Sequence, residues 1–114
     1  MSFKVSQRKS EDVTVLDVSG RIVLGEKTTD LLQTLKNLAA GGEKKILLNL
    51  AEVTYVDSAG LGTLVRSHTA VTEQEGRLKL LNVPAKVQTL LKITKLNNLF
   101  ESFDDEARAI KSFD

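Results

Sequence analysis

Lys45-Ile46-Leu47-Leu48-Asn49-Leu50, followed after a short connection by Asp57-Ser58-Ala59-Gly60-Leu61-Gly62, is the stretch that decides the architecture. The first run is apolar almost without a break, the pattern of a parallel strand covered on at least one face and flanked by other strands. It predicts the centre of a sheet. The second run places a hydroxyl where a helix begins: after a connection over Val53 to Asp57, residues Leu61, Leu64, Val65, His68 and Val71 fall on one helical stripe that stops near Gly76. Ser58 stands at the mouth of that helix, placed to cap its first free N–H groups.

Working outward, the flanking segments alternate strand with helix. Upstream, Phe3 to Lys9 and Val13 to Ser19 read as an antiparallel pair around the polar Glu11-Asp12 turn, the second run ending at Gly20. A loop around Gly25 leads to a helix from Thr28, with Leu31, Leu32, Leu35, Leu38 and Ala39 at helical spacing, Thr28 or Thr29 as its cap, and Gly41-Gly42 as its stop. Downstream come a strand over Arg77 to Leu81, a helix from Pro84 to about Ile93, a last strand over Leu99 to Phe103, and a final helix opened by Asp104-Asp105-Glu106. Five strands and four helices result. Helices separate successive strands after the first pair, so parallel crossovers are the economical topology and one α/β domain accounts for residues 1–114.

Composition narrows the function. The chain has 114 residues, enough for one core, and its apolar residues are aliphatic, with only 4% aromatic, so there is little on which bases could stack. Sixteen Lys and Arg against fifteen Asp and Glu give a net charge of +1, which provides no field for gripping nucleic acid or an anionic membrane. Cysteine is absent and His68 is the single histidine, which removes thiolate chemistry and most metal-ligand spacings. No run approaches the ~18 apolar residues of a membrane span, and the first residues lack an apolar leader core, so the expected location is cytoplasmic.

Three features compete as sites. Gly20-Arg21-Ile22-Val23-Leu24-Gly25-Glu26-Lys27-Thr28 nearly matches a phosphate-binding loop, but Glu26 stands where the motif needs lysine, and a strand-to-helix connection accounts for it better. His68 lies ten residues beyond Ser58 on one helix, about 15 Å away, so the two cannot form a hydrolase pair. No base, orienter and oxyanion set assembles, which argues against an enzyme and calls for no cofactor and no metal. The cations Arg77, Lys79, Lys86, Lys92 and Lys95 precede the next acid, Glu101, and read chiefly as a solvated face that could also meet an acidic partner. Residues 57–62 keep two readings: a capped helix thinned by Gly60 and Gly62 to pack on the strand carrying Leu47 and Leu48, or a surface thinned for close docking of another protein. Two glycines there cost about 1 kcal/mol each relative to alanine.

The order of segments, the buried run Ile46 to Leu50 and the sequence Val56-Asp57-Ser58-Ala59-Gly60-Leu61-Gly62, with Leu78 to Pro84 and Val87 to Phe100 downstream, resemble the STAS domain family, particularly bacterial anti-sigma-factor antagonists. The resemblance implies a small mixed sheet with helices largely on one side. It further implies a cytoplasmic switch in which Ser58 is the phosphoacceptor, Asp57, Ser58, Ala59, Gly60, Leu61 and Gly62 bind the partner, and the partner is an anti-sigma-factor serine kinase of histidine-kinase-like ATPase fold. The unphosphorylated form would free a sigma factor, and a phosphoserine phosphatase would restore it. A STAS scaffold or ligand-binding module of a signalling or transport complex is the competing implication. Two departures bear on kinase recognition: the loop from Gly20 to Asp30 is longer than in close antagonists and carries Ile22-Val23-Leu24 where an acidic residue is usual. Ala59 also replaces a common second serine, leaving Ser58 as the motif's own hydroxyl acceptor.

Overall fold

The polar Glu11-Asp12 turn folds β1 (Lys4–Ser10) back on β2 (Val13–Ile22) as an antiparallel pair, with Lys4 opposite Ser19 and Ser10 opposite Val13. The computed structural model describes residues 3–114; Met1 and Ser2, included in the expected 1–114 domain, lie outside the described residues. After the hairpin the chain alternates α1 (Glu26–Ala40), β3 (Lys45–Val56), α2 (Ser58–Glu73), β4 (Arg77–Leu81), α3 (Ala85–Ile93), β5 (Ser102–Phe103) and α4 (Glu106–Lys111). The sheet runs β1-β2-β3-β4-β5, and every pair after the first is parallel. The expected mixed, mostly parallel sheet of five strands with four helices is what forms.

The near-continuous apolar run at Ile46 to Leu50 feeds both faces of that sheet. Ile46, Leu48 and Leu50 join Leu16, Val18, Leu78 and Leu80 beneath Leu31 and Leu35 of α1, Leu61 and Leu64 of α2, and Val87 and Leu91 of α3. Leu47 points the other way, into a smaller cluster with Val13, Val15, Leu81 and the α4 residues Ala109 and Ile110, closed by Phe113. Three helices therefore cover one face and the short C-terminal helix covers the other. Lys79 anchors that helix: its side chain is buried, its Nζ donates to the Ser112 carbonyl and to Ser112 Oγ at 3.0 Å each, and it lies 4.7 Å from the Phe113 ring centroid. Arg77 also donates to the Phe113 carbonyl. Two members of the basic run thus hold the C-terminus rather than forming a solvated face.

Beside α4 the open part of this face carries a polar ladder. Arg8 Nε donates to Asp17 Oδ2 at 2.7 Å, and its two Nη atoms donate to Glu106 at 2.8 and 2.7 Å. Asn49 Nδ2 continues the chain to Asp17 Oδ1 at 2.8 Å. Hydrogen bonding from Arg8 holds the Asp17 and Glu106 carboxyls below their ordinary values against a smaller opposing effect of burial.

Several boundaries differ from the sequence reading, each for a local reason. β3 does not stop at Leu50 with a connector over Val53 to Asp57; it continues to Val56, paired with β2 through Val56 opposite Ile22. The register between the two strands shifts twice, between Asp17 and Ser19 and between Gly20 and Arg21, and each shift gives β3 one extra residue. Its buried positions therefore fall at Leu50, Val53 and Val56, a spacing of three that hides a strand. β2 likewise runs through Gly20, whose φ of 92° sits at the second shift, and on to Ile22. α1 begins at Glu26 without a side-chain cap; Thr28 is buried in its first turn, and Thr29 Oγ1 donates back to the Gly25 carbonyl at 3.2 Å. β5 is only Ser102–Phe103, because Phe100 turns into the main core under His68, with ring centroids 5.2 Å apart.

Candidate functional site

The C-terminal ends of β2, β3 and β4 deliver three connections to one end of the sheet, and the helix start at Ser58 stands among them. Asp57, not Ser58, caps α2: its Oδ1 accepts from the Gly60 N–H at 2.7 Å, and its backbone is extended, as a cap residue requires. The sequence reading that gave capping to Ser58 is corrected by one position. Ser58 is instead the first helical residue, exposed, with its hydroxyl outside the capping bond.

Asp57 also ties the site together. Its Oδ2 accepts from the Leu24 N–H at 3.2 Å, and its own N–H donates to the Ile22 carbonyl at 3.2 Å, so the loop after β2 is bonded to the start of α2 at two points. The N–H groups of Gly60, Leu24 and Ala59, with Arg21 nearby, hold its carboxyl below the ordinary aspartate value despite an opposing effect of burial. It remains an anion at neutral pH.

Gly60 and Gly62 separate cleanly. A Cβ built on Gly60 falls 1.9 Å from the Ile22 carbonyl oxygen and 2.6 Å from its carbon, so this glycine lets α2 rest on the end of β2. The close approach at Gly60 is internal, and its neighbour is Ile22 rather than the strand carrying Leu47 and Leu48. On Gly62 the same Cβ meets only the tip of Arg66 at 3.2 Å, so nothing rigid demands glycine there. Leu61 is buried in the core, while Ser58 faces solvent and Ala59 is half-buried.

Two further exposed side chains lie at this end of the sheet: Leu24, which the sequence reading named only within the near phosphate-loop motif and the Ile22-Val23-Leu24 departure, and Tyr55, which it did not single out. Leu24 is 81% exposed and Tyr55, opposite Arg21 in the sheet, is 48% exposed, with the Arg21 guanidinium 5.1 Å from its ring centroid. Three consecutive apolar residues, Ile22-Val23-Leu24, ahead of Gly25 and the chain's one tyrosine were the available signals. The near phosphate-loop motif is taken up otherwise: Glu26 and Thr28 lie in the first turn of α1, and Thr28 is buried. His68 is half-buried against Phe100, and desolvation lowers its pKa, which suits a packing residue. Among the described residues no group of three potential metal ligands forms, and no helix is long and apolar enough to cross a membrane.

A five-stranded mixed sheet with this strand order, and a capped helix presenting an exposed serine at its first position, define the class: residues 4–109 match the STAS domain, and the chain belongs to that family. It is 30% identical over 107 residues to the anti-sigma-B factor antagonist of Bacillus subtilis (strain 168), covering 89% of this chain and 91% of the relative. In structure it is similar to a putative anti-sigma factor antagonist from Thermotoga maritima, with a TM-score of 0.85 at 22% identity, covering 95% of this chain and 92% of the other. It also resembles the Bacillus cell fate determinant SpoIIAA in its phosphorylated form, with a TM-score of 0.74 at 17% identity over 99% of this chain and all of the other. Anti-sigma factor antagonism is the role named for these relatives.

Proposed function

We propose that this chain is an anti-sigma-factor antagonist that works as a phospho-switch, with Ser58 as the acceptor. The observation that carries the reading is the exposed Ser58 hydroxyl at the first position of α2, freed from capping by Asp57. The existence of SpoIIAA in both an unphosphorylated and a phosphorylated form supports it by analogy. In this reading the unphosphorylated chain docks through the accessible members of residues 57–62, Ser58 foremost with Asp57, Ala59 and Gly62, onto an anti-sigma-factor serine kinase, which then releases its sigma factor. The chain is a binding module and the kinase supplies the catalysis. A phosphoserine phosphatase returns the chain to its binding form.

Two opposing effects govern the switch. Phosphate adds about −1.5 to −2 charges at neutral pH, and the positive end of α2 offsets this by about 0.3–1 kcal/mol, so the fold survives. At the interface the same dianion must be desolvated beside the Asp57 anion, and a loss of about 3 kcal/mol there lowers affinity more than a hundredfold. Binding is lost while structure is kept.

The test is titration calorimetry against the candidate kinase, with mass-spectrometric mapping of the phosphate. Ser58→Ala should bind like the wild type and resist phosphorylation, whereas Ser58→Glu and the phosphorylated chain should bind at least ten times more weakly with unchanged circular dichroism. Equal affinities for all forms, or phosphate mapped to another residue, would defeat the switch and favour a scaffold role.

A further inference from the structure

β3 is longer than the strand beside it. Its pairing with β4 covers only Lys45–Asn49, while its pairing with β2 continues to Val56. Over residues 51–56 one edge of β3 therefore has no strand partner among the described residues. We propose that this edge, with the flank of α3, receives an extended segment of a partner protein by strand addition.

The groove between the two elements fits that occupant in three ways. It encloses about 620 Å³ between Val53 and Val56 on β3, Pro84 just ahead of α3, and Val87 and Leu90 on α3, within the size range of a ligand site. Strand edge, apolar trough and flanking helix are the layout in which peptide-binding modules such as PDZ domains add a strand, with main-chain bonds giving affinity and alternate side chains giving specificity. Residues 52–56 lie opposite four residues of β2, Ser19 to Ile22, so at about 3.3 Å per residue the free segment runs about 13 Å, which accommodates about four residues of guest.

The composition of the edge points the same way. The other long edge of the sheet, β1, is exposed and carries Lys4, Arg8 and Lys9, the charges that discourage strand pairing. The β3 edge reads Ala51-Glu52-Val53-Thr54-Tyr55-Val56, β-branched and aromatic with a single charge. Lys86 lies exposed on the α3 wall. The guest is accordingly an extended segment with an apolar residue for the trough and a carboxylate for Lys86. Val56 is two residues from Ser58, so the groove continues the surface proposed to meet the kinase, but it needs neither a kinase nor a phosphate to be tested.

The experiment selects peptides from a random ten-residue display library on the whole chain and maps the winners by amide chemical shift and hydrogen exchange. Strand addition predicts extended binders with an apolar and an acidic position, shift changes at residues 51–56 and 84–90, and new exchange protection within 51–56. Ala85→Trp, which fills the trough from an exposed position, should weaken them at least tenfold, and Lys86→Glu should weaken the acidic binders by about tenfold while both variants keep the wild-type circular dichroism. Binders that map elsewhere, bind as helices, or are indifferent to both substitutions would overturn the proposal. So would an edge closed by self-association, seen as a concentration-dependent dimer with the same residues protected, or a library that yields no binder.

Discussion

Alanine at Gly60 tests the geometry of the site most directly, because two opposing effects of known size meet there. An added methyl would sit 1.9 Å from the Ile22 carbonyl oxygen, whereas real contacts of this kind stay beyond 3.0 Å, so α2 must move off β2 by about 1.1 Å. The obstacle is backbone and cannot rotate away. That movement strains the packing, at about 1–3 kcal/mol, and pulls on the Asp57 N–H bond to the same carbonyl oxygen, worth about 0.5–1.5 kcal/mol. Alanine returns about 1 kcal/mol through helix propensity, leaving a net loss of about 2 kcal/mol. For a domain of this size that is a fall in Tm of about 8 °C. Gly62→Ala is the control: only the flexible tip of Arg66 is near, so propensity wins and the variant should gain about 0.5–1 kcal/mol, or roughly 2–4 °C. Calorimetric melts of the two variants beside the wild type decide the matter. A Gly60→Ala protein as stable as the wild type would refute the claim that this glycine exists to let α2 touch β2.

The central strand should tolerate a charge on neither face: Leu47 and Leu48 are both fully buried, in different clusters, so Leu47→Asp and Leu48→Asp should each prevent folding or cost several kcal/mol, and near-wild-type melting of either would break the two-face assignment. Acid should weaken the ladder around Arg8. Asp17 and Glu106 have folded pKa values below their unfolded ones of about 4, so their contribution is present at neutral pH and is lost as pH falls through the folded values. Because these ion pairs are partly exposed and screened, Arg8→Met should cost about 1 kcal/mol at pH 7, and the gap should close toward pH ~2 in urea melts; a gap independent of pH would refute the linkage.

Much of the architecture was legible because local rules sufficed for it. The apolar run Ile46 to Leu50, the helical stripes starting at Leu31 and Leu61, and Pro84 ahead of a helix each announced an element, and their alternation announced a parallel sheet. Where two strands had to agree on register, the sequence was silent. The two extra residues of β3 exist only relative to β2, so the stretch over Val53 to Val56 looked like a connector. The same limit applied to Phe100, which leaves the strand pattern because a place in the main core awaits it.

The site divides along the same line. Sequence alone put Asp57 and Ser58 at a helix start, since a short polar pair before an apolar stripe marks such a boundary. It could not assign the cap between them, because that depends on which carboxylate or hydroxyl reaches the Gly60 N–H once the turn has formed. Nor could it distinguish Gly60 from Gly62, identical in composition and two positions apart. Only the folded chain brings the Ile22 carbonyl under one and leaves just the flexible tip of Arg66 beside the other, because contacts between residues distant in sequence are set by packing and not by local propensity.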